Sequence, residues 1–156
     1  MRRVALLLVP LALTLAACGS DDETTTTATT AGGSGDCRYL DLGDVNAATG
    51  ATLEEVAAGE GGCTFAPPSG AEGPRVALNR IDIAIDPKQY ADGAKENCKG
   101  ERTDVSAGDV GWACVTINPQ GIVIKDRTLL QVDVTDAADD AAGVAIAAKL
   151  VPAMKP

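Results

Sequence analysis

The sequence predicts an α+β domain, in which short helices pack against an antiparallel sheet and two disulfides cross-link the chain. Helical and alternating apolar patterns follow one another along residues 37–156. Four cysteines lie in the same region, while the whole chain contains only one Trp, two Tyr and one Phe. A region of about 120 residues can form one small core. With so few large side chains to fill that core, cross-links would help to stabilise it.

Residues 1–17 have the features of an export signal. Arg2 and Arg3 precede an uncharged apolar stretch that ends in small residues. This stretch is too short to span a bilayer as a helix, which takes about 20 residues. The order Leu15-Ala16-Ala17-Cys18 resembles the bacterial lipobox, in which the chain is cut before a cysteine that carries a diacylglycerol. We expect the mature chain to start at Cys18 and acyl chains there to hold it on the membrane, with a core strand or an uncleaved anchor as the alternative.

Residues 18–36 are predicted to form the lipidated cysteine and a disordered tether. The segment from Gly19 to Gly35 contains no large apolar residue and has nothing with which to form a core. As a flexible coil, a segment of roughly 20 residues spans about 25 Å. Its threonine run is a solvated spacer or, alternatively, a site for attached sugars.

The charge of the mature chain argues against nucleic acid as a partner. The full sequence has 13 basic and 22 acidic residues. Removing residues 1–17 takes away two arginines and no acid, which leaves 11 basic residues and a net charge of −11. A chain this acidic repels nucleic acid and anionic lipid head groups. We therefore expect membrane association to come from the acyl chains alone.

The absence of histidine narrows the chemistry that the chain can perform. It excludes Ser-His and Cys-His nucleophile pairs and every zinc site that contains histidine. Glu54, Glu55 and Glu60 are candidate paired carboxylates for glycoside chemistry, but a solvated acidic face is the favoured interpretation. No catalytic residue, metal or cofactor is predicted.

The cysteines of the domain form an even set once Cys18 is assigned to lipid. They are Cys37, Cys63, Cys98 and Cys114. In an exported chain this predicts two disulfides, for which three pairings are open. Pairing Cys37 with Cys63 and Cys98 with Cys114 closes the shortest loops, and each bridge would stabilise the fold by about 3 kcal/mol. A four-thiolate zinc site is the alternative, although no two of these cysteines have Cys-x-x-Cys spacing.

The domain begins with a predicted helix and strand. Asp41 is a plausible N-cap of a short helix that Gly50 ends. Residues 51–58 fit either an extension of this helix or an edge strand. Residues 63–65 then predict a short strand that ends at two prolines.

The next segment predicts a strand followed by a second helix. Residues 75–86 alternate in polarity, which predicts a strand with one buried face. The apolar side of that pattern consists of Ala77, Ile81, Ile83 and Ile85. Asp86 is a predicted N-cap and Pro87 the first helical residue, with Gln89 completing a pattern similar to a capping box. The helix should turn Tyr90, Ala94 and Cys98 towards the sheet, which would bring Cys98 near a strand cysteine such as Cys114.

The last third predicts three strands and a helix. The strands cover residues 111–117, 121–125 and 128–135 and form a meander. In the last strand three apolar side chains alternate with Gln131 and Asp133, which indicates a sheet with one wet face. Asp136 is predicted to cap a final helix that runs to about Val151, with Pro152 as its terminator.

Two clusters of residues are candidate sites. The stretch that contains Ser106, Gly108, Asp109 and Trp112 is either a binding loop with an aromatic platform or a turn that leads Trp112 into the core, and the core is favoured. Asp133, Asp136, Asp139 and Asp140 suggest a calcium cluster, but they lack the spacing of a calcium loop. Helix capping is the favoured role of these acids.

The order of these features resembles a known class of protein. A lipobox and a Thr-rich tether are followed by Cys37-Arg38-Tyr39-Leu40, a helix that ends at Gly50, Cys63-Thr64-Phe65, the stretch SAGDVGWAC and an Ala-rich terminal helix. The chain resembles the small lipoproteins of unknown function that are common in actinobacteria. The resemblance implies an antiparallel sheet packed by about three helices on one face, a disulfide between the first two cysteines of the domain, and residence on the outer face of the cell membrane. It brings no activity and no catalytic residues.

These observations predict a non-enzymatic, membrane-anchored extracytoplasmic lipoprotein. We expect it to bind a small hydrophobic ligand, a lipid or a membrane-protein partner in a cleft between sheet and helices. The first alternative is a carboxylate-dependent hydrolase of the cell envelope, which would need two acids that converge in one pocket. The second is a purely structural or assembly role, which differs from the binding function in lacking a pocket.

Overall fold

A computed structural model describes residues 37–59 and 61–156 of the chain. The predicted signal peptide, the lipid attachment at Cys18 and the tether lie outside the described residues, as does Glu60. In the described part of the chain, no helix is both long enough and apolar enough to cross a membrane.

In the described residues, seven strands form one antiparallel sheet with the order β1-β2-β3-β7-β6-β5-β4. The antiparallel sheet and two cysteine pairs of the predicted α+β class are thereby confirmed. The helices are α1 (Leu42–Thr49), α2 (Pro87–Glu96) and α3 (Asp140–Leu150), and a 3-10 turn (Val151–Ala153) follows α3. The strands are β1 (Glu54–Gly59), β2 (Gly62–Ala66), β3 (Arg75–Asp82), β4 (Lys99–Val105), β5 (Val110–Val115), β6 (Pro119–Lys125) and β7 (Thr128–Thr135).

One face of the sheet, which we call the first face, packs against α1 and α3. The main core lies here, and its large buried side chains include Leu40, Phe65 and Leu150. At Gly121 of β6, an added Cβ would lie 2.9 Å from the Ala147 carbonyl oxygen of α3. The missing side chain therefore lets α3 approach the sheet closely, and the first face is sealed from solvent along its centre.

The opposite face, which we call the second face, packs against α2. Its smaller core contains Ala91 of α2 and the side chains that alternate with the first-face residues of β5 and β6. The core residues from the sheet and its flanking segment are Ile83, Trp112, Cys114, Ile122, Ile124 and Leu129. Packing of all the helices on one face is therefore not confirmed. The reason is that β5 and β6 carry apolar side chains on both faces, so both need cover.

The buried face of β3 differs from the prediction. Val76 and Leu78, at 0% and 1% exposure, point into the first-face core, whereas Ile81 and Ile85 are 41% and 49% exposed. Of the predicted isoleucines only Ile83 is buried, and it lies beyond the end of the strand. The side predicted to be buried belongs to the second face, which α2 covers only in part.

Two edge strands complete the sheet. Helix and strand were both open for residues 51–58, and most of this segment lies in the edge strand β1. This strand pairs with β2 and contains a bulge after Glu55. The other edge, β4, was not predicted because its residues show no apolar alternation and are almost all exposed. Its place in the sheet comes from pairing with β5. Charged side chains on both edges protect them against pairing with other chains.

The cysteines pair as Cys37–Cys63 and Cys98–Cys114, with Cα–Cα distances of 5.8 and 5.7 Å. This is the shortest-loop pairing, so the prediction of two disulfides is confirmed. Cys63 lies on the first face, and Cys114 lies on the second. Each face therefore has its own covalent link to the segment that covers it.

Asp41 and Asp86 precede α1 and α2 as predicted, but the residue before α3 is not the predicted one. The Asp86 carboxylate accepts a hydrogen bond from the Gln89 amide, whereas Asp41 makes no side-chain capping bond. Asp139, rather than Asp136, precedes α3, and its carboxylate accepts a hydrogen bond of 2.7 Å from the Ala142 amide. Asp136 has a φ of 55° and forms an ion pair of 3.2 Å with Arg75. A left-handed residue cannot start a helix, so α3 begins later than predicted.

We expect Asp139→Ala to lower the free energy of unfolding by about 1 kcal/mol, because the first-turn amides of α3 lose their side-chain acceptor. Asp140→Ala is the matched control, since that acid lies in the same turn without a capping bond and acts only on the helix dipole, worth about 0.3 kcal/mol. Urea denaturation followed by circular dichroism measures both changes. Equal losses in the two variants would contradict the capping role of Asp139.

Candidate functional site

Of the predicted binding loop, 106–112, the first four residues form a turn that packs against the hairpin between β6 and β7, and the rest belong to β5. The Asp109 amide donates a hydrogen bond of 2.7 Å to the Ile124 carbonyl. The Asp109 carboxylate accepts one of 2.7 Å from the Asp126 amide. Ser106 and Gly108 are exposed, while Trp112 is fully buried under α2. The loop is thus connected by hydrogen bonds to the turn between β6 and β7. The Trp112 ring lies in the core, where it cannot act as a platform for a ligand.

Gly108 allows this close contact between the loop and β6. Its φ is 55°, and an added Cβ would lie 2.5 Å from the Ile124 carbonyl oxygen. We expect Gly108→Ala to lower the free energy of unfolding by about 2 kcal/mol, measured by urea denaturation. Gly70→Ala is the matched control, because Gly70 also has a positive φ, 84°, but has open space where the Cβ would lie. A loss at Gly108 no larger than that at Gly70 would show that the contact with the Ile124 carbonyl does not exclude a side chain at position 108.

The four aspartates of the suggested calcium cluster have separate roles. Asp139 caps α3, Asp136 pairs with Arg75, and the Asp133 carboxylate accepts two hydrogen bonds from Gln131. Asp140 lies in the first turn of α3. Within residues 37–59 and 61–156, no group of three or more Cys, Asp or Glu residues is placed to hold a metal ion.

The glutamates considered for glycoside chemistry do not converge in the described structure. Glu54 pairs with Ala66 and Glu55 with Phe65, so the two side chains leave β1 on opposite faces of the sheet. The Glu55 carboxylate accepts a hydrogen bond of 3.3 Å from the Cys37 amide. This contact connects β1 to the start of the domain.

The carboxylates and lysines whose pKa is shifted belong to exposed pairs. A hydrogen bond from Lys88, 2.5 Å long, lowers the pKa of Asp92, and the same bond raises the pKa of Lys88. A hydrogen bond from Arg102 likewise lowers the pKa of Asp104. Exposed pairs of this kind are screened by solvent and contribute little to stability. Their positions do not mark a catalytic site.

The feature that best fits a binding site is a groove of about 420 Å³ on the second face beside α2. We call it the α2 groove. Tyr90 and Ala94 of α2 form one wall, with Asn97 just beyond the end of the helix. Gln120 and Ile122 of β6 and Gln131 of β7 form the floor. Lys99, Thr116 and Ile117 complete the lining.

The groove exists because α2 covers only part of the second face. The helix packs over β5, β6 and the start of β7, and its single buried residue is Ala91. Beyond it the floor carries polar side chains. Ala91 packs into the second-face core, while the half-buried Tyr90 lines the groove beside it.

Two amides on the floor have free hydrogen-bonding groups. Gln120 is only 7% exposed, and its Oε1 accepts a hydrogen bond of 3.2 Å from the Thr116 hydroxyl. The Gln131 Nε2 donates to both oxygens of Asp133, at 3.0 Å each. Among the described residues, Gln120 Nε2 and Gln131 Oε1 have no hydrogen-bond partner. The floor therefore offers one donor and one acceptor.

A second cavity, of about 560 Å³, lies between β4 and α3. Four of its lining residues, 99–101 and 103, belong to the exposed edge strand β4. The others are Val115 and three residues of α3. The α2 groove is the better candidate, because its floor is formed by two central strands of the sheet.

Gln120 was not identified from the sequence, and Gln131 was identified only as part of a wet face. The available signal was an amide placed in the apolar run that follows Pro119.

Comparison with protein family models, curated proteins and solved structures finds no match to this chain.

Proposed function

We propose that this chain is a lipid-anchored extracytoplasmic protein whose domain binds a small ligand in the α2 groove without transforming it. The observation that carries the proposal is the groove itself, which combines an apolar wall with free amide groups on its floor. Small-molecule sites typically have this composition, in which apolar contacts give affinity and a few polar groups give orientation. Acyl chains on Cys18 would hold the domain at the membrane, and the tether would let it reorient.

The two disulfides support the extracytoplasmic part of the proposal. Disulfides form and persist in oxidising compartments, and the pairs Cys37–Cys63 and Cys98–Cys114 use all the cysteines of the described domain. The order of basic residues, apolar run, small residues and Cys18 supports export and lipidation.

The arrangement of the acids supports binding over hydrolysis. Hydrolysis of a glycoside by carboxylates needs two of them about 5 to 10 Å apart across one bond. In the described groove the lining carries one charged residue, Lys99, and no carboxylate. The nearby Asp133 is occupied by hydrogen bonds from Gln131.

Native mass spectrometry of the full chain, purified in detergent after export, tests the proposal. We expect extra mass of a few hundred daltons or more that disappears on denaturation. Ala94→Phe should abolish it, because the larger side chain fills the groove from the α2 wall. Ala145→Phe is the matched control, since Ala145 is exposed on α3, far from the groove lining.

Retention of the same mass by the Ala94→Phe variant would place the ligand elsewhere and contradict the proposal. Extra mass of protein size in the native chain would contradict it too, because the partner would then be a protein. Turnover of a glycoside or ester by the purified chain would favour the hydrolase alternative.

A further inference from the structure

We infer that the α2 groove selects a neutral ligand that carries a secondary amide, and that this ligand is a saccharide with an acetamido group. The inference rests on the proposed function and concerns the class of ligand that the same groove takes.

The Gln131 side chain is held in one orientation. A carboxylate only accepts hydrogen bonds, so the contacts of Gln131 with both Asp133 oxygens must come from its Nε2. The amide oxygen therefore points away from Asp133. It can accept a hydrogen bond from an N–H or O–H group of a ligand.

Gln120 supplies the complementary donor. Its Oε1 accepts from the Thr116 hydroxyl, which leaves Nε2 to donate. Leaving this amide group unpaired when a ligand displaces water from the groove would be unfavourable. A purely hydrocarbon ligand would therefore be disfavoured at this floor, whereas a ligand with a carbonyl oxygen would satisfy it.

The register of the sheet places the two amides at a spacing that suits one ligand group. Gln120 pairs with Asp133 and Ile122 with Gln131 across β6 and β7, so the glutamines are diagonal neighbours on the same face. Diagonal neighbours have Cα atoms about 7–8 Å apart. A trans secondary amide presents its N–H and C=O on opposite sides, and it can therefore be held between a donor and an acceptor.

The surroundings favour a neutral saccharide over a charged ligand. The floor side chains Gln120, Ile122 and Gln131 carry no charge. The strongly acidic chain repels anions, and Lys99, the one charged residue of the described lining, repels cations. The half-buried Tyr90 ring and Ala94 offer apolar surface for one face of a sugar ring and for a methyl group.

A peptide is the less favoured source of the same amide group. Peptides often bind by adding a strand to a sheet edge, where backbone groups are free. Here β6 pairs with β5 and β7, and β7 pairs with β6 and β3, so the floor has no free edge. A peptide would have to be recognised through side chains alone.

Three neutral probes test the inference on the full chain in detergent by heteronuclear NMR titration. The probes are tri-N-acetylchitotriose, cellotriose, which has hydroxyl groups in place of the acetamido groups, and an acetylated, amidated trialanine. We expect the acetylated sugar to bind at least about tenfold more tightly than cellotriose, because sites built to bind an amide reject analogues without one. The side-chain NH2 resonances of Gln120 and Gln131 should shift on binding.

Gln131→Leu and Gln120→Leu should each weaken binding of the acetylated sugar about tenfold. Gln89→Leu is the matched control, because Gln89 is exposed at the start of α2 and does not line the groove. The resonance shifts in the unmodified chain keep the test informative if either variant fails to fold.

Equal affinity for the acetylated sugar and cellotriose would overturn the inference. Tighter binding of the peptide would overturn the saccharide assignment. After either result the proposed function would still stand if native mass spectrometry detects a ligand that Ala94→Phe removes. If no probe binds and native mass spectrometry detects no ligand, the proposed function is contradicted as well.

Discussion

Trp112→Ala is expected to lower the free energy of unfolding by about 3 to 5 kcal/mol. Trp112 has the largest of the fully buried side chains, and its ring fills the space between β5 and α2. Few other large residues share this smaller core, so truncation would leave a cavity that α2 cannot close. Urea denaturation followed by circular dichroism would measure the loss.

Trp112→Phe is the matched variant, and we expect a much smaller loss. Trp112 Nε1 is buried and has no hydrogen-bond partner among the described residues, an arrangement that costs about 1–3 kcal/mol. Phenylalanine removes this unpaired group while keeping an aromatic ring beneath Lys95, whose Nζ lies 5.3 Å from the Trp112 ring centroid. Removing the unpaired N–H group offsets part of the unfolding free energy that is lost because phenylalanine fills less volume. A loss as large as that of Trp112→Ala would contradict the expected gain from removing the unpaired indole nitrogen.

The local signals in the sequence predicted helix ends better than they predicted faces of the sheet. Asp41 and Gly50 mark the two ends of α1, and Asp86 with Pro87 marks the start of α2, as expected. Such signals are readable because the residues that start or end a helix lie within one turn of each other. The strand β4 could not be predicted in this way, because an edge strand with exposed charged residues is stabilised by its neighbour rather than by its own pattern.

The buried face of β3 illustrates a different limit. Both sides of this strand carry apolar residues, and only the position of α2 decides which of them meet solvent. The sequence pattern contains no information on how far α2 extends over the second face. For the same reason Ile81 stays exposed although it continues the alternation that includes Ala77.

The α2 groove depends on tertiary structure to a still greater degree. Gln120 and Gln131 are 11 positions apart in the chain and become neighbours only through the register of β6 and β7. Their polar character was visible in the sequence, but their free donor and acceptor follow from contacts with Thr116 and Asp133. The candidate loop around Gly108 was visible as a motif, and the structure gives it a role in connecting turns.

Replacement of both Cys98 and Cys114 by alanine is expected to lower the free energy of unfolding by about 3 kcal/mol, since the bridge closes a loop with a sequence separation of 16. It should also loosen α2 locally. Ala91 is the single buried residue of that helix, so the disulfide is a large part of what holds α2 over Trp112. Because Trp112 is the only tryptophan, acrylamide quenching of its fluorescence reports on this cover.

Replacement of both Cys37 and Cys63 by alanine is the matched control. It should cost a similar free energy, because the separation of 26 closes a loop of comparable entropy. Quenching of Trp112 should then stay at the level of the unmodified chain, since this disulfide lies in the first-face core on the other side of the sheet. Increased quenching in the Cys98 and Cys114 variant alone would show that the two bridges stabilise separate faces. An equal increase in quenching in both variants would mean that the fold as a whole holds α2 in place. The groove beside α2 would then depend on the first-face core as well.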